Sequence, residues 1–223
     1  MPSIDLVVLD LDGTLYSSSA TTLGAVELAV RDLNARHGDV IAPPSDDLVL
    51  SGVGSTREEF ARKVFPGLAE EYIGEIDDLI WHWERVLVDD GMGALFPGAV
   101  KALEEMRGMG LQLGVATNAG VGYMNHILNY FDIRRFFDDT RCAGEERTSH
   151  KGELIDLILN RLSVDPGRTV MVGDRQTDIR GARASGALAV GCTWGFASRD
   201  ELKDADRLVD NFAELTDLLK SWP

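Results

Sequence analysis

The sequence contains only two cysteines, Cys142 and Cys192. They lie far apart and form no Cys-x-x-Cys pair, so a thiol metal site or redox couple is not expected, and two buried, idle thiols are. No apolar run approaches the roughly 20 residues that a membrane helix requires. Met1-Pro2-Ser3-Ile4-Asp5 has neither the basic start nor the small-residue cleavage site of a signal peptide, which leads to the expectation of a cytosolic protein. Positive charge is scarce: 22 Lys and Arg face 37 Asp and Glu, a formal net charge of −15. Such a surface repels nucleic acid and anionic lipid, so neither is expected as a partner. Internal repeats and low-complexity segments are also missing. What remains is an ordinary soluble composition, 44% hydrophobic and 26% charged over 223 residues. That length holds one α/β domain with a smaller insertion. Monomer and homodimer both stay open.

The hydrophobic pattern changes twice along the chain. Ile4 to Leu9 reads as a buried strand. Residues 20 to 90 then read as helices only: Ala20 to His37, Arg57 to Phe65, and Glu70 to Asp89. In the last, Tyr72, Ile76, Leu79, Ile80, Trp83 and Leu87 recur at helical spacing. After Phe96-Pro97-Gly98, helices and strands alternate. Strands are expected at Leu111 to Ala116, Thr169 to Val172, Leu188 to Cys192 and Leu208-Val209. Helices are expected at Ala99 to Met109, Met124 to Phe131, Lys151 to Leu162, Thr177 to Ser185 and Ala213 to Lys220. Alternation of this kind predicts an open parallel, Rossmann-like sheet flanked by helices. The expected organisation is a discontinuous α/β core, residues 1–15 and 93–223, with a helical cap inserted at 16–92.

Three of the apolar strands run into polar clusters: Asp10-Leu11-Asp12-Gly13-Thr14, Thr117-Asn118, and Gly173-Asp174 with Asp178 four residues on. Ligands of open parallel sheets bind at the carboxyl ends of strands, so the clusters are expected to share one edge. Asp10, Asp12, Asp174 and Asp178 would then converge. Like charges packed together need a neutralising partner, and a hard cation with oxygen ligands such as Mg²⁺ supplies one. Each Asp taken singly would equally suit a helix cap or a turn.

Asp10-Leu11-Asp12-Gly13-Thr14-Leu15 after an apolar strand resembles the signature of the haloacid dehalogenase superfamily. By residue frequency alone, Asp-x-Asp-Gly-Thr arises in on the order of one chain in a thousand of this size. Thr117 resembles the second motif of that family and Lys151, opening a helix, the third. Gly173-Asp174-Arg175-Gln176-Thr177-Asp178 resembles the fourth. The helical insertion resembles the family's cap. Two positions depart from common family patterns: Gly152 follows Lys151 in place of Pro, and Ala119 follows Thr117-Asn118 in place of Lys. The resemblance implies a Mg²⁺-dependent phosphatase acting on a small phosphate monoester, phosphoglycolate-like or nucleotide-like. Asp10 would be the nucleophile and form an aspartyl-phosphate. Asp12 would be the general acid and base. Thr117, Asn118 and Lys151 would hold the phosphoryl group. The metal would lie on Asp10, Asp174, Asp178 and the backbone carbonyl of Asp12. Because Asp12 is present, cleavage of a carbon–halogen bond is not favoured: a halide needs no acid. A sugar-phosphate mutase of the β-phosphoglucomutase kind is the alternative, with the same motifs.

Other residues are open to two readings. Arg57 follows Gly52-Val53-Gly54-Ser55-Thr56 and suits either a remote anionic group of the substrate or a solvated charge at a helix start. His150 is expected at the surface or in packing. Trp83 is expected in the cap core and Trp81 at its rim, since residues two apart cannot share a helix face.

Overall fold

A computed structural model describes residues 4–148 and 150–222. Met1 to Ser3, part of the stretch on which the leader reading rests, lie outside them. The chain begins with strand β1 (Leu6–Leu9) and passes through a short strand β2 (Tyr16–Ser17) into four helices. These are α1 (Ser19–His37), α2 (Asp46–Gly52), α3 (Arg57–Val64) and α4 (Glu70–Asp89). It returns through β3 (Ala94–Leu95), which pairs antiparallel with β2. The remainder alternates: α5 (Ala99–Gly108), β4 (Gln112–Thr117), α6 (Val121–Tyr130), β5 (Asp139–Cys142), α7 (Ala143–Glu146) and α8 (Lys151–Leu162). Then follow β6 (Thr169–Gly173), α9 (Gln176–Ala184), β7 (Leu188–Cys192), β8 (Arg207–Val209) and α10 (Phe212–Lys220).

Six strands form one parallel sheet in the order β5-β4-β1-β6-β7-β8. All four residues of β1 and all five of β6 are buried. That is the expected consequence of covering both faces of a parallel sheet with helices. Alternation along β1 divides the core: Val7 and Leu9 pack on one side with Leu103, Met124 and Ile127. Leu6 and Val8 pack on the other with Ile155, Ile158 and Ile179. From β1 the chain builds outward on one side as β4 and β5, then crosses to build β6, β7 and β8 on the other. This reversal of direction leaves a crevice at the carboxyl ends of β4, β1 and β6, the three strands whose ends carry the polar clusters.

Helices α1 to α4 have a core of their own, built from Ala25, Ala29, Leu33, Ile76, Leu79 and Ile80 among others. Trp83 packs partly buried against it and donates from Nε1 to Asp32 at 3.0 Å. Where α3 begins, Glu59 Oε2 accepts from the backbone N–H and the hydroxyl of Thr56, at 3.0 and 2.8 Å, so the turn before Arg57 is closed by its own capping pair. No helix of the described residues is long and apolar enough to cross a membrane.

Strands β2, β3 and β5 and the short helices α2 and α7 were not anticipated. Strand β5 reads Asp-Thr-Arg-Cys and lies at the sheet edge, where only Cys142 is buried. An edge strand needs no apolar alternation, and Arg141 pairs there with Asp139 at 2.9 Å and Glu146 at 2.8 Å. Helix α2 has only seven residues, too few for a periodic stripe; Ser45 caps it by accepting from Leu48 N at 3.4 Å. The β2–β3 ladder is two pairs long, Tyr16 with Leu95 and Ser17 with Ala94.

Candidate active site

The turn after β1 is set by backbone chemistry. Asp10 N continues the ladder by donating to Val172 O at 2.9 Å, and the N–H groups of Leu15 and Tyr16 both return to Leu11 O at 2.9 Å. Gly13 sits at φ 81°, and a Cβ there would come within 2.3 Å of Asp174 Oδ2. Only glycine offers both that conformation and that approach. Gly195 closes from the opposite side: its Cβ would stand 2.4 Å from Asp174 Cβ. Asp174 is thus enclosed by two loops, with Oδ2 accepting from Phe196 N at 2.7 Å. Thr14 Oγ1 donates to its other oxygen at 3.4 Å. Asp178, in the first turn of α9, accepts from Arg175 N at 2.9 Å.

Lys151 enters from the start of α8. Its ammonium lies 2.8 Å from Asp10 Oδ1, 2.9 Å from Asp178 Oδ1 and 3.0 Å from Ala116 O. The departure at Gly152 has a packing reason: a Cβ there would stand 3.1 Å from Ala184 Cβ, and one on Gly181 would stand 2.8 Å from Lys151 Cβ. Helices α8 and α9 therefore touch backbone to backbone, and this contact seats Lys151 beneath Asp10.

Asp10, Asp174 and Asp178 each present an oxygen, the three lying within 4.8 Å of one another, and all three residues are buried. Burial first, then the neighbouring carboxylates, push Asp10 up to about 7, although Lys151 opposes them. Asp174 is pushed well above the usual carboxylate range for the same two reasons. Burial alone would lower Lys151, but Asp10 and Asp178 outweigh it and raise the ammonium. Three carboxylates against one ammonium leave an excess of negative charge in a dry site. A hard divalent cation fits that donor set, oxygen only and acidic, better than any soft metal.

Asp12 does not share this cluster through its carboxylate. Its Oδ1 accepts from the Tyr123 hydroxyl at 2.6 Å, on the side of the helical unit. Burial raises its pKa, while the Tyr123 hydrogen bond works the other way. Thr117 closes β4 and is 2% exposed; its Oγ1 accepts from Ala119 N at 3.2 Å. Asn118 Nδ2 donates to Gly54 O of the helical unit at 2.8 Å. Arg175 Nη2 likewise donates to Leu50 O at 2.9 Å.

Between the sheet edge and helices α1, α3 and α4 lies a cavity of about 100 Å³, open on one side. Asp10, Asp12 and Thr117 form its floor; Arg57, Asp77, Trp81 and Glu84 stand in its walls. Arg57 meets neither of its two readings in simple form. It lines the cavity, yet its guanidinium is held by Asp77 at 2.7 Å and by Asp78 at 3.3 Å. Trp81 lies at the rim against α6, its ring 6.0 Å from that of Tyr123. His150 is exposed ahead of α8. Cys142 and Cys192 are free and buried, as expected. Tyr123, Asp77 and Glu84 were not singled out from sequence. Tyr123 could have been found six residues beyond Thr117 on an adjacent helix; the other two carry no local signal.

Comparison with known proteins identifies the family and the fold. The family model for haloacid dehalogenase-like hydrolases matches residues 4–186. The chain is 29% identical over 217 residues to a probable phosphatase, IndB, of Dickeya dadantii, covering 94% of this chain and 91% of that protein. It is 30% identical over 222 residues to the tyrosine-protein kinase PtkA of Mycobacterium tuberculosis, covering 98% and 72% respectively. The crystal structure of a predicted phosphoglycolate phosphatase from Haemophilus somnus superposes with a TM-score of 0.86 at 21% identity, over 98% of this chain and 99% of that one. With the family model spanning most of its length and the strand-end carboxylates in place, the chain belongs to the haloacid dehalogenase-like hydrolase family, as an enzyme of the phosphatase kind.

Proposed function

We propose that the protein hydrolyses a small phosphate monoester through an aspartyl-phosphate on Asp10, with Mg²⁺ as cofactor. The observation that carries this reading is the buried set of Asp10, Asp174 and Asp178 around a single ammonium, Lys151, with Asp10 opening onto the floor of the cavity. The metal would be held by these three carboxylates and the backbone carbonyl of Asp12. Bound there, it would neutralise charge on the phosphoryl oxygens and let a dianionic ester approach the carboxylates.

The residues of the chain divide the remaining work. The Asp10 carboxylate attacks phosphorus, and the bond from phosphorus to the alcohol oxygen breaks. Asp12, which burial inclines to keep its proton, donates it to the departing oxygen. In the second half Asp12 takes a proton from water as that water displaces Asp10 from phosphorus. Tyr123 holds Asp12 in orientation from the side. Lys151 and the Thr117 hydroxyl hold phosphoryl oxygens, and Asn118 docks the helical unit against the floor. The unit spanning residues 16–92 acts as a cap that excludes bulk water while the phosphoenzyme forms. Similarity to proteins named as phosphatases supports a small phosphate ester as the substrate.

The test is phosphate release from p-nitrophenyl phosphate. Turnover is expected with Mg²⁺, none in excess chelator, and recovery when Mg²⁺ is returned. Undiminished turnover in chelator would refute the metal assignment. A phosphorylated residue other than Asp10, located by mass spectrometry, would refute the nucleophile.

A further inference from the structure

The walls of the cavity beyond its phosphoryl floor are acidic and aromatic. Glu84 and Asp77 face it from α4, Asp12 from the floor, and the adjoining rings of Trp81 and Tyr123 line it together. Several of the donors nearby are already engaged. Arg57 is held by Asp77 and Asp78, the Tyr123 hydroxyl donates to Asp12, and the Thr22 hydroxyl donates to Glu84 Oε1 at 3.3 Å. An acceptor is left over: Asn118 lines the same cavity at 5% exposure, and its Oδ1 has no hydrogen-bond partner among the described residues. Acidic groups and an unpaired acceptor, faced by aromatic rings, suit a ligand that donates hydrogen bonds and carries positive charge.

We infer that the alcohol released from the substrate carries a protonated amine, received by Glu84 beside the Trp81–Tyr123 ring pair. This deepens the phosphatase reading above and rests on it. A second carboxylate on the substrate would meet Asp12, Asp77 and Glu84 with no uncommitted cation among the residues named here. An uncharged alcohol would leave Glu84 facing only the hydroxyl of Thr22. An ammonium supplies what both lack: donors for Glu84, and a cation for the ring faces. Burial first, and Asp12 second, raise Glu84 to about 8, so the empty cavity keeps this carboxyl protonated near neutral pH. An arriving ammonium reverses the balance, because a neighbouring cation favours the carboxylate. Glu84 is thus neutral when the cavity is empty and charged when an ammonium fills it, which avoids an unpaired buried charge in either state.

The experiment compares three alkyl phosphates of similar size with Mg²⁺ present: 2-aminoethyl phosphate, n-propyl phosphate and carboxymethyl phosphate (phosphoglycolate). They differ chiefly in the charge on the leaving alcohol, and p-nitrophenyl phosphate sets the baseline for leaving-group acidity. We expect kcat/KM to be about ten-fold higher for the aminoethyl ester than for the propyl ester, and lowest for the carboxymethyl ester. In Glu84→Gln the aminoethyl-to-propyl ratio should fall several-fold. Trp81→Leu should move the ratio in the same direction, and it serves if the first variant does not fold. Equal values across the three esters, or a preference for the carboxymethyl ester, would overturn the inference while leaving the phosphatase reading standing, provided p-nitrophenyl phosphate is turned over. If p-nitrophenyl phosphate is not hydrolysed either, both readings fall together.

Discussion

Lys151 is the sharpest point at which to test the electrostatics of the floor. Its ammonium contacts Asp10, Asp178 and Ala116 O within 3.0 Å, and the side chains of Lys151, Asp10 and Asp178 are all at most 3% exposed. Lys151→Ala deletes the only ammonium in this cluster and leaves two buried carboxylates without it. Breaking a buried pair in this way costs about 3–5 kcal/mol. At about 2–4 °C per kcal/mol for a chain of this size, the melting temperature in chelator should drop by roughly 6–20 °C. The deficit should also depend on pH, and its sign follows from Asp10. Because its folded-state pKa is raised, to about 7, the carboxyl costs the fold least when protonated. That advantage is complete at acid pH and is lost as pH rises through the folded value. Without Lys151 the folded value climbs further, so the variant should lose most at about pH 9 and recover towards about pH 5.5. Lys151→Met, which keeps the apolar stem, should show the same pH dependence with a smaller packing loss. Mg²⁺ should restore part of the stability of both variants and little of their turnover. Urea melts across that pH range, with and without Mg²⁺, read all of this. A deficit below about 1 kcal/mol, or one that does not change with pH, would refute Lys151 as the neutraliser of this cluster.

Other expected outcomes follow from single residues. Asp12→Ala should slow turnover by roughly 10²- to 10⁴-fold for an alkyl phosphate and much less for p-nitrophenyl phosphate, whose leaving group needs little protonation; equal losses on both would make Asp12 a structural residue. Gly13→Ala combines φ 81° with a Cβ 2.3 Å from Asp174 Oδ2. We expect about 2–4 kcal/mol of destabilisation by denaturant melts, together with loss of turnover; a variant of normal stability and activity would mean that the turn relaxes freely. Glu84→Gln bears on pH. A carboxyl raised from 4.5 to about 8 by burial stabilises least when ionised, so its contribution is full below about pH 4.5 and is lost as pH rises through about 8. The stability of Glu84→Gln relative to wild type should therefore increase across that window, by about 2 kcal/mol once screening by cavity water is discounted. A flat difference from pH 5 to 9 would argue that Glu84 stays solvated.

The floor of the site was legible in sequence because local pattern carries it. Asp10, Thr117 and Asp174 each end an apolar strand, and parallel topology alone brings strand ends to one edge. Gly13 marks a sharp turn, and Lys151 opens a periodic helix. The walls were not legible for a physical reason. Glu84 and Asp77 lie on α4 of the helical unit and Tyr123 on α6 of the core. Which residues of two separate packing units face each other depends on how the units dock, and no local period encodes that. Asp12 shows the same limit at one residue: its place after β1 was plain, but its side chain turns away from the other carboxylates to a tyrosine 111 positions later. Strand β5 escaped because an edge position lets Asp139, Thr140 and Arg141 stand where a central strand would need apolar residues.

The short β2–β3 ladder bears on how such a molecule can be rebuilt. Tyr16 pairs with Leu95 and Ser17 with Ala94, and Phe96 N donates to Leu15 O at 2.9 Å, so the outgoing and returning chains run side by side. Gly93, at φ 85°, passes where a Cβ would meet the Tyr16 hydroxyl at 2.2 Å. Everything between these two strands hangs from one two-stranded stem. A different insert spliced onto that stem would leave the register of the six-stranded sheet undisturbed, while replacing Arg57, Asp77, Trp81 and Glu84 at once and keeping Tyr123. If the helical unit sets specificity as proposed, grafting a foreign one between Ser17 and Ala94 is the construction that this geometry invites.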